Sequence, residues 1–407
     1  MIRRHKLKTK DLTPLIGILL LVSLSAGAKS FYGWPKEVVP RSEEGRVMRA
    51  IADALPGLDG KPLQWDAGLV EAARRVAGAL ARDYRIYHKA FSDDYLYRRV
   101  REAGVFETRL YYSYVVFDHE EELSEFIRRR VARSASARSF THMGAGLVRG
   151  SRGSGYLVVI LASKLVQLDP FPCELSGPGE AMLSGLTMAF GRRSAVKALL
   201  TLPSGSVVPL EMNTRGGRFQ GRVPFRQGEG VYRVELIVDQ GGQSMVAGIL
   251  EVRVGEPVPG SAVMDFYAGP PHYVTEAEAE MAMVRMINSF RGRQGLPLLR
   301  VHPGLMAMAR EQSRDMMTHN FFGHESPGRG DFSRRRRAAG FARVPMQENL
   351  AVHTSLNGAL TALLESPAHR RNLINPDFDS VGVGVVVEEF LGYRNYYITQ
   401  EFADLGD

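Results

Sequence analysis

The spacing of hydrophobic and polar positions divides the chain into three segments. Between about Glu43 and Ser163, and again from Thr275 onward, apolar residues at helical spacing alternate with short apolar runs typical of strands. Between about Pro170 and Val254, short alternating or apolar runs are separated by glycine-rich turns. The strands predicted there are Ala198–Leu202, Val207–Met212, Arg218–Pro224, Val231–Asp239 and Val246–Val254. The chain is therefore predicted to be of the α+β class, with a β-rich centre.

The three segments give the predicted domains. Strands at this spacing with no helix between them favour a β-sandwich of immunoglobulin-like type over residues 170–255. The run Glu256-Pro257-Val258-Pro259-Gly260 predicts a linker over 256–274. The mixed segments are predicted as domains over 43–165 and 275–407.

The first residues are typical of an export signal. Basic residues from Arg3 to Lys10 precede an apolar run, Leu15–Leu24, which is too short to span a bilayer comfortably. Ala26-Gly27-Ala28 then matches a small-residue cleavage site. We predict a signal peptide over 1–28, cleavage after Ala28, and a periplasmic or extracellular protein. An uncleaved membrane anchor is the alternative, and the absence of a following cysteine excludes a lipoprotein anchor.

Charge and cysteine content limit which binding partners and which disulfides the chain is expected to have. The formal net charge is +8, with arginine clusters at 128–130 and 334–337. These clusters are not interleaved with aromatic residues on a recognisable module, so we predict no nucleic-acid partner and favour solvated basic faces that can meet an anionic envelope surface. Cys173 is the only cysteine, so no intrachain disulfide can form.

The two mixed segments share residues at one constant offset. The matched positions are Gly68-Leu69 with Gly304-Leu305, Ala73-Arg74 with Ala309-Arg310, His88 with His324, and Arg98-Arg99 with Arg334-Arg335. Farther on, Gly144-Ala145-Gly146 parallels Gly382-Val383-Gly384 with a slip of two residues. A shared offset through glycines and a histidine predicts a divergent internal duplication.

The last segment carries six ordered motifs. Its predicted helices are Glu276–Arg291, Pro303–Met317, Ser333–Ala339 and Leu356–Leu364, and its predicted strands are Val381–Val387 and Tyr396–Phe402. The motifs FFGHESPGR, R..AGF, ENLA, SPAHRRNL, NPDFDSVGVGV and YYITQEF lie between residues 275 and 405. They resemble the bacterial branch of the CAP/SCP superfamily, which includes cysteine-rich secretory proteins, antigen 5 and pathogenesis-related class 1 proteins. The resemblance implies a C-terminal α-β-α sandwich with a cleft lined by histidines and acidic residues.

Carried over by motif, the resemblance places His324, Glu348 and His369 in that cleft, with Asn349 and Gln400 as further cleft residues. At two positions this sequence departs from the family pattern. The second cleft glutamate falls near Ser366 and is missing, with the neighbouring Glu365 as a candidate substitute; the tryptophan often found before SPxHR is Leu363.

Two imidazoles and one carboxylate allow three interpretations. They match the ligands of an open zinc site, so His324, Glu348 and His369 are candidate ligands of Zn²⁺ or another divalent cation, with no cofactor assigned for certain. They also match a general acid/base pair around a water. The third interpretation is that they only hydrogen-bond one another. The remaining histidines considered, His272, His302, His319 and His353, are predicted to be surface residues rather than ligands.

The first segment lacks counterparts of two of the three cleft residues, Glu348 and His369. The position matching Glu348 falls around Tyr112-Ser113 and that matching His369 falls near Val131. We therefore expect residues 43–165 to be a degenerate CAP-like α-β-α domain that serves structure or partner contact.

The leading functional hypothesis is a secreted or envelope-associated binding module without enzymatic activity. Its ligand class (small hydrophobic or lipid, cell-wall or peptide) is only implied by the resemblance. The alternatives are a metal-assisted, peptidase-like hydrolase using the same cleft, and a structural or interaction protein.

Overall fold

The computed structural model describes residues 31–33, 39–55, 57, 61–82, 100–132, 140–150, 153–188, 194–240, 243–255, 275–319, 321–390 and 393–406. The predicted signal peptide, the predicted linker over 256–274, His88 and His272 lie outside these residues. Among the helices described, none is long and apolar enough to cross a membrane.

The N-terminal unit is a four-stranded sheet with helices on both faces. After a first strand, β1 (Phe31–Tyr32), that joins the central unit, its elements are α1 (Ser42–Ala54), β2 (Gln64–Trp65), α2 (Ala67–Arg82), β3 (Leu110–Phe117), α3 (Glu120–Phe126) with a π-helical turn (Ile127–Val131), β4 (His142–Arg149) and β5 (Gly155–Ala162). The strand order is β2-β4-β5-β3. One buried cluster lies between the sheet and α1, and another between the sheet and α2.

The central unit consists of two sheets around one core. Its elements are β6 (Val166–Leu168), β7 (Phe171–Pro172), β8 (Glu174–Leu175), β9 (Gly179–Thr187), β10 (Ala195–Thr201), β11 (Val207–Leu210), β12 (Asn213–Arg215), β13 (Arg218–Phe225), β14 (Gly230–Gln240) and β15 (Gln243–Val254). The sheets run β11-β10-β14-β15-β8 and β12-β13-β9-β6, and β1 pairs with β7. Side chains from both sheets, such as Phe219 and Val234, share one buried cluster. Strands β1 and β6 extend this unit beyond the predicted limits of 170–255.

The C-terminal unit is again a sheet between two helical layers. Its elements are α4 (Glu276–Arg293), β16 (Arg300–Val301), α5 (Pro303–Thr318), α6 (Phe332–Ala338), β17 (Met346–His353), α7 (Leu356–Glu365), α8 (Pro367–Leu373), β18 (Ser380–Phe390) and β19 (Tyr393–Ala403). The strand order is β16-β18-β19-β17, which leaves β17 at an edge. Helices α4 and α7 share the largest buried cluster with one face of the sheet, and α5 packs on the other face.

Local sequence explains where these helices begin. Thr275 and Glu278 form a reciprocal capping box at the start of α4. Ser355 and Ser366 accept backbone N–H bonds at the starts of α7 and α8. The four predicted helices of the last segment are confirmed with ends shifted by one or two residues. Strands β3 and β17 and helices α1 and α8 were not predicted.

The N-terminal and C-terminal units have the same strand order and share two packing devices. Gly382 and Gly384 let α5 lie against β18, since a Cβ atom at either position would come within 2.2 Å of the helix backbone. Gly144 and Gly146 meet α2 in the same way, with contacts of 2.3 and 2.2 Å. The close helix–sheet approach therefore depends on glycine in both units.

The second device is a buried glutamate from the first helix paired with an arginine from the second. Glu44 accepts bonds of 2.9 and 2.6 Å from Arg74, and Glu280 accepts bonds of 2.9 and 2.6 Å from Arg310. Each carboxylate also accepts a backbone N–H from the sheet, from Leu147 in one unit and from a residue of β18 in the other.

Candidate functional site

The loop between α5 and α6 carries His324 and is held by its own hydrogen bonds. Ser326 pairs with Gly330 across a tight turn, and its hydroxyl accepts the N–H groups of Gly328 and Arg329. From α5, Gln312 donates to the carbonyl of Gly323 at 3.0 Å. The loop thus presents a His324 side chain that is 48% exposed.

Glu348, on edge strand β17, is the centre of the site. Its Oε1 lies 2.8 Å from Nδ1 of His324, and its Oε2 accepts a bond of 2.6 Å from Nη2 of Arg335. Burial alone would raise the pKa of Glu348, but the His324 bond and the Arg335 charge outweigh it and hold this pKa below its ordinary value. Because an ionised carboxylate only accepts, Nδ1 of His324 carries a proton and Nε2 is the nitrogen left for a ligand.

Arg335 was not predicted as part of the site. Its side chain and that of Glu348 are each 1% exposed, so the ion pair is buried. Arg335 also donates to the carbonyls of His324 and Gly330 at 2.5 and 3.2 Å. The guanidinium therefore joins the histidine loop to strand β17. Four consecutive arginines gave no sign of which one is buried; the helical phase of α6 decides it.

Glu401, on β19, is a second carboxyl that sequence reasoning missed. It is the cross-strand partner of Glu348, it is fully buried, and neither of its oxygens is hydrogen-bonded to a described donor. Burial and the nearby charge of Glu348 raise the pKa of Glu401 well above its ordinary value, so this carboxyl keeps a proton that it can donate to Glu348. The sequence did contain a signal for this residue, because Glu401 is a charged residue on the inward side of the predicted strand Tyr396–Phe402.

His369 lies in the first turn of α8, around the edge of the sheet from Glu348. Burial and the charge of His324 lower the pKa of His369 to about 3, so its imidazole is neutral. Its backbone carbonyl accepts a bond of 3.2 Å from Asn349. The structure therefore brings His324 and Glu348 into direct contact, and it places His369 where the charge of His324 acts on it. We call these three residues, with Arg335 and Glu401, the His324 cluster.

Asn349 and Gln400 lie on the other face of the sheet. Both are fully buried and bonded to each other at 3.2 Å, and Asn372 of α8 donates to Asn349 at 2.8 Å. Neighbouring residues of a strand point to opposite faces, so Asn349 cannot share a surface with Glu348. These two residues, predicted to line the cleft, instead attach α8 to the sheet.

The residues at the family's variant positions face elsewhere. Ser366 is buried and bonded to Glu235 of the central unit at 2.6 Å. Glu365, the candidate substitute carboxylate, is 3.9 Å from Arg233 of the central unit. Leu363 belongs to the core beside α4. The second carboxyl beside Glu348 is therefore Glu401 rather than Glu365.

The predicted surface histidines fall in different settings. The His319 side chain is 61% exposed and 2.7 Å from Asp315, as expected of a surface residue. His353 is half-buried at the end of β17. His302 packs edge-on against Phe341, and its Nδ1 is buried.

The residues present do not fit the predicted three-ligand metal site. Within the described ranges, no three His, Cys, Asp or Glu side chains are grouped so that they could hold a metal ion. Both oxygens of Glu348 are engaged, one by Nδ1 of His324 and the other by the permanent charge of Arg335. A divalent cation would have to displace a buried guanidinium to reach this carboxylate, which is electrostatically unfavourable.

Known proteins resemble the C-terminal part of the chain. Residues 284–402 match the family described as "Cysteine-rich secretory protein family", or CAP. The "Uncharacterized protein YkwD" of Bacillus subtilis (strain 168) is 32% identical over 120 residues, 28% of this chain and 47% of that protein. The chain thus spans about half the length of the curated relative it matches.

Two solved structures are also similar. An outer surface protein from Borrelia burgdorferi is 22% identical, with 33% of this chain and 97% of that one covered and a TM-score of 0.29. An extracellular protein containing a SCP domain from Bacillus anthracis str. Ames is 17% identical, with 75% and 91% covered and a TM-score of 0.29. The family match confirms, for residues 284–402, the resemblance read from the motifs: this part of the chain is a CAP domain.

Proposed function

We propose that this chain is an exported, envelope-associated or extracellular protein whose CAP domain binds a ligand at the His324 cluster without turning it over. The observation that supports this proposal most directly is that buried Glu348 is bonded to both His324 and Arg335 while the His324 ring is half-exposed. A carboxylate on Nδ1 fixes the ring and leaves Nε2 toward the ligand side.

The hydrolase alternative has less support. Among the described residues, no hydroxyl or thiol is hydrogen-bonded to the imidazole of His324 or His369, so neither ring has a nucleophile to activate. A metal-activated water would need the carboxylate that Arg335 already holds. The ligand class remains the one the family resemblance implies: a lipid, a cell-wall fragment or a peptide.

The N-terminal unit is proposed to be the degenerate CAP-like copy, and the central unit an immunoglobulin-like sandwich. The shared strand order, the paired glycines and the Glu–Arg pairs support the duplication. Through the register, Tyr112 and Ile160 stand where Glu348 and Glu401 stand in the CAP domain. Since neither can ionise as a carboxyl, this unit is suited to structure or partner contact.

The test is binding of three defined probes: soluble muropeptides, phosphatidylglycerol vesicles and an extended peptide. We expect one probe to bind, with affinity about five- to twelvefold weaker in H324A, because a ligand hydrogen bond to a polar ring is worth about 1–1.5 kcal/mol. The matched control is H119A, an exposed histidine of the N-terminal unit that makes no side-chain capping bond. Mass spectrometry of the recovered probe should show no product.

Each rival has its own outcome. Cleaved probe in wild type but not in H324A would favour the hydrolase. Binding equal in wild type and H324A would reject the His324 cluster as the binding site, and failure of all three probes would favour a structural or interaction protein.

A further inference from the structure

Strand β14 of the central unit carries a carboxylate on its outward face. Its neighbours Val234 and Leu236 are buried in the core of that unit, so the alternation of the strand turns Glu235 outward. Glu235 is nevertheless fully buried. What covers it is α8 of the CAP domain, the short helix that carries His369.

Both oxygens of Glu235 are bonded to the start of α8. Oε1 accepts the hydroxyl of Ser366 at 2.6 Å, and Oε2 accepts the backbone N–H of Ala368 at 2.7 Å. The same Ser366 oxygen accepts the backbone N–H of His369 at 3.4 Å. A continuous chain of hydrogen bonds therefore runs from the central unit to the backbone of His369.

Two further contacts flank Glu235. Arg370 donates to the carbonyl of Gly205 at 2.9 Å, and its guanidinium lies over the ring of Phe290, 5.4 Å from the centroid. Arg233 lies 3.3 Å from Glu251 and 3.9 Å from Glu365. Burial raises the pKa of Glu235 to about 7 against the two hydrogen bonds that lower it.

We propose that Glu235 is a positioning residue for the His324 cluster: by holding the start of α8, the central unit sets where His369 stands relative to His324. The site is then built by two structural units rather than by the CAP domain alone. This inference does not depend on which ligand the cluster binds, and it is tested by amide exchange, which needs no ligand.

The test compares amide hydrogen exchange in the full-length chain and its variants. In E235A, the amides of Ala368 and His369 should exchange at least about tenfold faster, because one loses its acceptor and the other loses the group that orients its acceptor. E235Q keeps the size of the side chain but has one oxygen for two donors, so it should show a smaller acceleration at the same amides. E229A, which changes an exposed glutamate of the same unit, should match wild type.

A swapped variant separates positioning from general stability. E235S/S366E returns a hydroxyl and a carboxylate to the same contact, and it should restore slow exchange at His369 and the wild-type NMR shift of its ring. Exchange at Ala368 and His369 within about twofold of wild type in E235A would overturn the proposal. If E235A fails to fold, amide exchange in E235Q at the wild-type rate would also overturn the proposal. The proposal would likewise be overturned if the His369 amide exchanged as fast in E235S/S366E as in E235Q.

Discussion

Removing the guanidinium of Arg335 is the sharpest test of the electrostatics at the His324 cluster. In R335M, Glu348 would keep its bond to His324 but lose a cation 2.6 Å away in a place where both partners are 1% exposed. Breaking a buried ion pair from one side costs about 3–5 kcal/mol, because the remaining charge is left without compensation. We take about 3 kcal/mol, since the His324 bond remains and Glu348 can take up a proton.

The cost should depend on pH in a defined direction. In wild type, the pKa of Glu348 lies below its ordinary value of 4.5, so its ionised form stabilises the fold above pH 4.5, and this contribution is lost as the pH falls through the lowered pKa. Without Arg335, burial dominates and the pKa of Glu348 rises. The difference between wild type and R335M should therefore be largest near neutral pH and should shrink in acid.

Amide exchange of strands β17 and β19 is the appropriate assay. Both tryptophans, Trp34 and Trp65, lie outside the CAP domain, so tryptophan fluorescence would report on other units. A loss of about 3 kcal/mol is a factor on the order of a hundred in the opening equilibrium at these strands.

A matched control and a rescue complete the design. R334M changes the exposed neighbouring arginine and should stay within about 0.5 kcal/mol of wild type. R335M/E348Q removes both charges and should recover at least half of the loss. A cost in R335M below about 1 kcal/mol at neutral pH, or no recovery in the double variant, would refute the account of a buried, compensated pair.

Two further predictions concern the same domain. E401Q should be about as stable as wild type near pH 4 and increasingly more stable than wild type as the pH rises toward 9 in thermal unfolding. Because the pKa of Glu401 is raised, the stabilising contribution of its protonated form is complete only below its ordinary value and is lost as the pH rises toward the folded-state value. A wild-type stability that stays flat to pH 9 would count against a protonated Glu401. G384A should cost about 3 kcal/mol or more because its Cβ would lie 2.2 Å from the backbone at Ala309, whereas G323A, with nothing within 4 Å, should be nearly neutral in the same measurement. Equal stability of the two glycine variants would contradict the packing role assigned to Gly384.

Local periodicity predicted the helices of the CAP domain, and the contiguous motifs shared with the family implied His324, Glu348 and His369 as cleft residues. Sequence reasoning missed β17 because the ENLA motif is short and mixes polar with apolar residues. Because that strand was not predicted, the sequence did not indicate that Glu348 and Asn349 point to opposite faces of a sheet.

The other partners of the cluster could not be read from the sequence because they depend on register and on distant contacts. Glu401 faces Glu348 only through the pairing of β17 with β19. Glu235 reaches Ser366 across 131 positions of the chain. Local sequence patterns carry no information about which distant residues come into contact in either case.

The central sheet relates the two α-β-α units to each other. Glu235 on β14 has Ile249 on β15 as its cross-strand partner. Ile249 donates its N–H to the carbonyl of Phe106 in the N-terminal unit at 2.9 Å and accepts a bond of 2.7 Å from Arg101. The CAP domain thus covers one face of this sheet where the N-terminal unit completes its edge, and adjacent residues serve both contacts. The start of α8 and the contact with the N-terminal unit therefore depend on paired residues of β14 and β15.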